Sequence, residues 1–279
     1  MSKLNFSILM ATYHADDPVF LGDAIDSILL QSILPDQFVF VIDGPVSASL
    51  ENIIVSRQKK ASSLGIVFDI IRLKHNAGLG IALQTGLKKV TTDFVVRMDS
   101  DDIAVPDRLL MAQAHLNENP DIDVLGTQIS EFSHGPEQPI SFRKVPTTHD
   151  DIAQRSKIMN PMNHMTVVMR RDAVLAQGGY RDCKYFEDYF LWLRLLNAGC
   201  KFCNLQSVAV HARVATLGDR RSGFAYARHE INFAKMCYRE RMFSALDVVK
   251  FVTLRTPTRV MPKKLIVRLY QMLRKNTPA

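Results

Sequence analysis

The chain has 279 residues, 47% of them hydrophobic and 23% charged, with 35 Lys+Arg against 28 Asp+Glu. That length and composition exclude a disordered or disulfide-stapled chain and allow one large α/β domain with an appendage. The formal charge of +7 is unevenly placed: residues 221–279 carry 13 basic and 3 acidic side chains, which leaves residues 1–220 at −3.

The N-terminus, "MSKLNFSILMATYHADD", has one lysine before a short apolar run that polar residues soon interrupt, so it lacks a signal-peptide core. Short runs rich in Val, Ile and Phe then alternate with helical patterns. "FSILMAT" (6–12), "QFVFVID" (37–43), "IVFDIIRL" (66–73) and "DFVVRMD" (93–99) have the length and composition of buried parallel strands. Between them, "PVFLGDAIDSILLQS", "SASLENIIVSRQKKASSLG" and "GLGIALQTGLKKV" space apolar residues as helices do. This βαβαβα order predicts a mostly parallel, Rossmann-like sheet covered by helices, with ligands outside the carboxyl ends of its strands.

"PDRLLMAQAHL" predicts a further helix with Pro106 in its first turn. Past residue 120 the pattern is mixed: "DIDVLGTQISEF", the loop "SHGPEQPI", "HMTVVMR", a helix near "RDAVLAQGG" and the amphipathic "FEDYFLWLRLLNAG". The division this suggests is a domain over 1–220, with a ligand-binding half over 1–102 and a facing half over 103–220, followed by a basic, mostly helical extension over 221–279. Helix begins again near Gly223, "RTPTRVMP" marks a break, and "KKLIVRLYQMLRK" sets Leu265, Ile266, Leu269, Met272 and Leu273 on one face with basic residues elsewhere. Such a helix either lies in an anionic membrane interface or packs on the domain with a solvated basic face. No interleaved aromatic pattern suggests nucleic acid. Cys183, Cys200, Cys203 and Cys237 are too few and too irregular for a secreted framework, which fits a reducing cytoplasm. The Cys200–Cys203 pair has no second pair at zinc-like spacing and reads as packing.

The most unusual local feature is "FVVRMDSDD", where an apolar strand runs into Asp99, Asp101 and Asp102. A polar turn before a helix is one reading. Binding of a hard divalent cation, which in turn neutralises a diphosphate, is another. An aspartyl-phosphate phosphatase with Asp99 as nucleophile also uses Asp-x-Asp after an apolar strand, and these residues alone leave all three open.

The ordered set "ILMATYHADDP", "VFVIDGP", "KHNAGLGIALQTGLKKVTTDFVVRMDSDD", "NPMNHMTVVMRRDAVLAQGGY" and "FEDYFLWLRLLNAG" resembles family 2 glycosyltransferases. These are inverting enzymes of the GT-A nucleotide-sugar fold, and the resemblance, over about residues 4–215, is strongest to the bacterial O-antigen and exopolysaccharide branch, including amylovoran-type enzymes. It implies that Thr12 and Tyr13 contact the nucleoside and that Asp43 hydrogen-bonds uracil, with Gly44 standing where the family commonly has a second acid. It also implies that Asn76 and Gly78 pack around the nucleotide and that Arg97, one step before the metal motif, belongs to the nucleotide-sugar site. Asp99 would approach ribose and metal, Asp101 would ligate Mn²⁺ or Mg²⁺, and Asp102 would be structural. Asp188 would be the general base and Glu187 would help place the acceptor. Trp192 reads as core, Arg194 as an ion-pair partner, and His164 as structural or near the acceptor. "HARVATLGDRRSGFAY" reads as a mobile basic loop over the diphosphate or a solvated one, with Arg213 its best-matched position.

The implied reaction moves a hexose, glucose or galactose favoured, from a UDP-sugar to a polyprenyl-diphosphate-linked glycan, forming a β-linkage at the cytoplasmic face of the membrane. The phosphatase and a noncatalytic sugar-nucleotide or membrane-binding protein are the alternatives; neither uses all the motifs.

Overall fold

A computed structural model of the chain describes residues 3–214 and 222–260. The first half builds the expected alternation: β1 (Phe6–Tyr13), α1 (Pro18–Leu29), β2 (Gln37–Asp43), α2 (Ala48–Ser63), β3 (Val67–Arg72), α3 (Leu79–Leu87) and β4 (Phe94–Arg97). These four strands lie parallel in the order β3-β2-β1-β4. Alternation along them splits the core. Phe6, Ile8, Met10, Phe38, Phe40 and Ile42 pack with α1 and α2, while Leu9, Ala11, Val39, Val41 and Val95 pack on the opposite side with α3. Gly86 lets α3 sit close, since a Cβ there would meet Leu9 Cδ1 at 2.5 Å.

The second half continues the sheet with β5 (Ile103–Ala104), α4 (Arg108–Glu118), β6 (Val124–Phe132), β7 (Ser141–Arg143), α5 (His149–Arg155), a 3₁₀ turn (His164–Thr166), β8 (Val168–Arg170), α6 (Arg171–Ala176), α7 (Glu187–Asn197) and β9 (Phe202–Arg213). The full order is β3-β2-β1-β4-β8-β6-β9-β5, with β7 on β6. β8 is antiparallel to β4 and β6, β9 runs parallel to β6, and β5 closes antiparallel on β9.

Two local expectations are corrected. Pro106 is not in the first turn of α4: the helix begins at Arg108 with Asp107 as its cap, and the Pro106 carbonyl accepts from Ser32 N at 2.9 Å. His211 and Arg213 are not in a mobile loop but at the end of β9, paired to β6 and, at His211, to β5.

The described residues divide into this α/β unit and a second unit formed by 157–159 and the helices α8 (Phe224–Arg239) and α9 (Ala245–Val260). Within the helical unit Phe233, Phe243 and Phe251 form a ring cluster with centroids 5.7–6.4 Å apart. Glu230, fully buried, pairs with Arg255 at 2.9 Å and Arg259 at 3.2 Å. These pairs bracket Pro257, through which α9 continues to residue 260; the end of "RTPTRVMP" lies outside the described residues. The predicted last helix over 263–275 lies outside the described residues. Among the described residues no helix is long and apolar enough to cross a membrane.

Candidate active site

The carboxyl ends of β1, β2 and β4 gather the first group of predicted site residues. Thr12 is buried, and its hydroxyl donates to Asp16 Oδ2 at 2.8 Å, while Ser100 Oγ donates to the same oxygen at 2.7 Å. Tyr13 N approaches it at 3.4 Å. Asp16 therefore joins the first-strand turn to the carboxylate loop, a role the sequence reading did not assign. A signal was present in "ADDP": Asp17 accepts from Val19 N and Phe20 N as the cap of α1, which leaves its neighbour to face the other way.

Asp43 ends β2 and is buried; its two oxygens accept from Ala77 N at 2.7 Å and Gly78 N at 3.0 Å. Asn76 Nδ2 lies 3.4 Å from the Asp43 carbonyl. Asp43 thus fixes the 76–78 loop, and each of its oxygens keeps a further lone pair for a ligand donor. Gly44 permits this close approach: its φ is +87°, and a Cβ would meet Asn76 N at 2.6 Å. Gly44→Ala is expected to destabilise the fold by about 1–3 kcal/mol through strain at that φ, which thermal melts of the variant and the wild type check.

At the end of β4, Arg97 is 1% exposed and pairs through Nη2 with Asp99 Oδ1. Its Nε and Nη1 are buried without a protein partner. Arg108, also buried, donates from Nη2 to the Met165 carbonyl at 2.9 Å and to the Arg97 carbonyl at 2.5 Å, tying the strand end to the 3₁₀ turn. Burial, with Arg97 nearby, lowers its pKa to about 9. Asp102 is buried and accepts from Arg213 N at 2.9 Å, the structural placement expected for it. Arg213 Nε donates to the Asp101 carbonyl at 3.1 Å and Nη2 pairs with Asp23 at 3.3 Å, while its guanidinium lies over the Phe20 ring at 3.8 Å. In this arrangement Arg213 braces the carboxylate loop from behind.

Oxygen atoms of Asp99, Asp101 and Asp102 lie within 4.8 Å of one another. Asp102 Oδ2 is buried without a hydrogen-bond donor. Asp101 is the most exposed of the three, yet desolvation of its carboxyl, then the charges of Asp99 and Asp16, push its pKa up to about 6. Burial, then Asp99 and Asp101, raises that of Asp102 as well. Three crowded hard-oxygen donors, one lacking any donor of its own, fit Mn²⁺ or Mg²⁺. The cysteines do not compete for this role: desolvation raises the pKa of both Cys200 and Cys203.

Glu187 and Asp188 open α7, as the sequence predicts for an acidic helix start. Asp188 Oδ2 accepts from Asn160 Nδ2 at 2.6 Å and Oδ1 from Tyr189 N at 2.7 Å. Asn160 Oδ1 in turn accepts from Met162 N at 3.2 Å, so the "NPMN" turn aims its amide at the carboxylate. Nothing in the helical periodicity marked Asn160, because the contact joins residues 28 apart. His164 Nε2 is 2.9 Å from Tyr180 Oη, and burial, then Arg97, lowers its pKa well below the ordinary value, so it stays neutral. Burial, above all, raises the pKa of Tyr180, with Asp188, Asp99 and Glu187 adding to the rise. Trp192 is core, packed edge-on against His164 and Phe202. Arg194 holds the carbonyls of Gln177 and Gly179 and lies over the Phe190 ring, a clamp on the glycine turn.

The sequence model described as glycosyl transferase family 2 matches residues 7–175. The amylovoran biosynthesis glycosyltransferase AmsE of Erwinia amylovora is 34% identical over 97% of this chain and 99% of its own length. The UDP-Gal:alpha-D-GlcNAc-diphosphoundecaprenol beta-1,3-galactosyltransferase of Escherichia coli is 33% identical over 92% of each chain. Among solved structures, S. aureus TarS 1–349 in complex with UDP-GlcNAc superposes with a TM-score of 0.64 at 17% identity, covering 83% of this chain and 66% of that one. In a second TarS structure, with a TM-score of 0.60 and 18% identity over 88% of this chain, the chain spans 45% of TarS. At these identities the structural likeness shows the fold, GT-A, as the resemblance implied.

Proposed function

The chain belongs to glycosyltransferase family 2, and from that premise we propose that it transfers a hexose from a UDP-sugar to a hydroxyl of a lipid-linked glycan, with inversion, in bacterial surface-polysaccharide synthesis. The observation that carries the proposal is the three-carboxylate loop at the end of β4; the carboxylate of Asp188, which accepts from Asn160 Nδ2 and Tyr189 N, supports it. The Escherichia coli relative, a UDP-Gal:alpha-D-GlcNAc-diphosphoundecaprenol galactosyltransferase, supports a galactose donor and a diphosphate-lipid acceptor; glucose is the second donor to test.

In this reading the Thr12–Tyr13 turn and the Asp43-held loop at Asn76–Gly78 receive the nucleoside, with Asp43 offering its spare lone pairs to the uracil N–H. Mn²⁺ or Mg²⁺, held by Asp101 and Asp99, supplies positive charge for a leaving diphosphate. Arg97 pairs with Asp99 and offers two further buried N–H groups toward the donor. Arg213, bound to the Asp101 carbonyl, fixes the loop on which that carboxylate sits. Asp188 takes the proton of the acceptor hydroxyl as it attacks the anomeric carbon, and Glu187 orients the acceptor. A single displacement converts a UDP-α-sugar into a β-linkage. The acceptor's lipid places the work at the cytoplasmic membrane face.

The position of Asn160 carries a prediction of its own. Removing its N–H donor destabilises the carboxylate form of Asp188, so Asn160→Ala is expected to raise the pKa of the base and to lower kcat by about tenfold. The acid limb of the kcat profile would move to higher pH; an unshifted limb would exclude the contact from catalysis.

The experiment for the function as a whole is a panel of UDP-sugars offered with Mn²⁺ and polyprenyl-diphosphate-linked acceptors, with glycolipid product and UDP quantified. UDP-galactose or UDP-glucose is expected to support transfer. Release of inorganic phosphate without transfer would instead favour the phosphatase reading.

A further inference from the structure

We propose that the α8–α9 helical unit carries a docking surface for anionic phospholipid headgroups, centred on the cleft between the two helices. The cleft has a volume of about 300 Å³ and is lined by Lys235, Tyr238, Arg239, Ala245 and Val248. Lys235, Tyr238 and Arg239 stand at i, i+3 and i+4 on α8, so both cations and the ring share one face. On α9, Leu246, Val249 and Lys250 repeat that spacing next to the cleft-lining residues.

Exposure separates this face from an ordinary helix surface. Leu246 is 71% exposed, Val249 58% and Tyr238 53%, while Phe233, Phe243 and Phe251 already fill the interior of the unit. An apolar strip rimmed by Lys235, Arg239, Arg241 and Lys250, with Glu240 the one fully exposed acid of the stretch, is the pattern of an interfacial membrane contact. Glu230 does not offset this charge at the surface: it is buried and paired through Oε1 with Arg255 and Arg259.

Charge also selects the occupant. Residues 261–279 contain five Lys and Arg and no acid, so like charge disfavours that segment as a cover for Lys235 and Arg239. A second copy would bring the same basic face to itself. An anionic lipid surface meets the cations, receives Tyr238 at headgroup level and buries Leu246 and Val249 beneath. This inference rests on the reading that the acceptor is lipid-linked, since docking brings the transfer site to a substrate confined to the membrane.

The test is cosedimentation of the full chain with phosphatidylglycerol/phosphatidylcholine vesicles, against phosphatidylcholine alone and inorganic phosphate as competitor. Wild type is expected to bind the anionic vesicles, with affinity that falls as salt rises. Both Lys235→Gln/Arg239→Gln and Leu246→Asp/Val249→Asp are expected to weaken binding, the first by about 30-fold, with circular dichroism and transfer to a water-soluble acceptor analogue unchanged. Equal binding by wild type and both variants would overturn the proposal, as would loss of binding only on deletion of 261–279. A wild-type dimer dissolved by Leu246→Asp/Val249→Asp would assign the surface to a second copy instead. Wild type that binds vesicles but transfers no sugar to the soluble analogue would leave the docking surface standing and contradict the proposed function.

Discussion

Asp188→Asn is expected to lower kcat for sugar transfer by about 10²- to 10⁴-fold, the contribution of a positioned general base, with little change in the KM for the donor. The substitution removes the group that takes the acceptor proton while preserving the size of a side chain that accepts from Tyr189 N in the first turn of α7. Asp188 stands in the first turn of a helix whose Leu191, Trp192 and Leu195 are fully buried, so the fold does not depend on its charge. The donor, in the proposed reading, is bound by the β1, β2 and β4 termini, which explains why its KM is spared. Single-turnover measurements of transfer, alongside UDP binding by calorimetry, separate the two quantities. A variant with normal kcat would remove Asp188 from the mechanism.

The second large effect is expected at Asp101. Asp101→Asn is expected to lower metal-dependent turnover by about 10³-fold, comparable with the loss of an electrostatic group facing developing charge. The pH behaviour of the protein supplies an independent readout. The folded-state pKa of Asp101, about 6, lies above its ordinary value of 3.8. Between these values the folded protein holds a proton that the unfolded chain has released, so stability without metal falls as pH rises from about 4 to about 6. Asp102, raised in the same direction, adds to that slope. Mn²⁺ competes with the proton, so the rise in Tm on adding Mn²⁺ is expected to grow across this window. Asp101→Asn should flatten the pH dependence and remove most of the Mn²⁺ stabilisation. Scanning calorimetry at several pH values checks both. Full Mn²⁺ stabilisation of the variant would move the ligand role elsewhere in the loop.

Much of this organisation was legible in the sequence. The buried parallel strands were visible because both of their faces are covered, which makes "QFVFVID" a continuous apolar run whose seven residues are all buried. The residues that end those strands, Asp43 and the Asp99–Asp102 cluster, were visible because ligand sites of such sheets lie at strand termini. Local patterns carried less in the second half. β5 is two residues long and has no periodicity to detect, and β9 carries a bulge where its pairing with β6 shifts, which disguises its alternation.

The supports of the site were harder to foresee because each is a long-range contact. Asp16 meets Ser100 across 84 positions, and Arg108 reaches the Met165 carbonyl across 57. Arg213 was read as part of a loop, yet its main-chain N–H is held by Asp102 across 111 positions. Composition identifies such residues as polar; only the closed sheet shows which partner satisfies each. The same holds for Pro257, whose helix-breaking tendency is overridden where Glu230 grips Arg255 and Arg259 on either side of it.

The measurement that tests the central claim most directly is the proton NMR spectrum of the product formed from UDP-α-galactose, or UDP-α-glucose, and a lipid-diphosphate-linked acceptor. A new β-glycosidic linkage, absent from reactions with Asp188→Asn, is the result predicted for single displacement by an acceptor activated at Asp188. An α-linkage, or a β-linkage formed equally well by the variant, would contradict it.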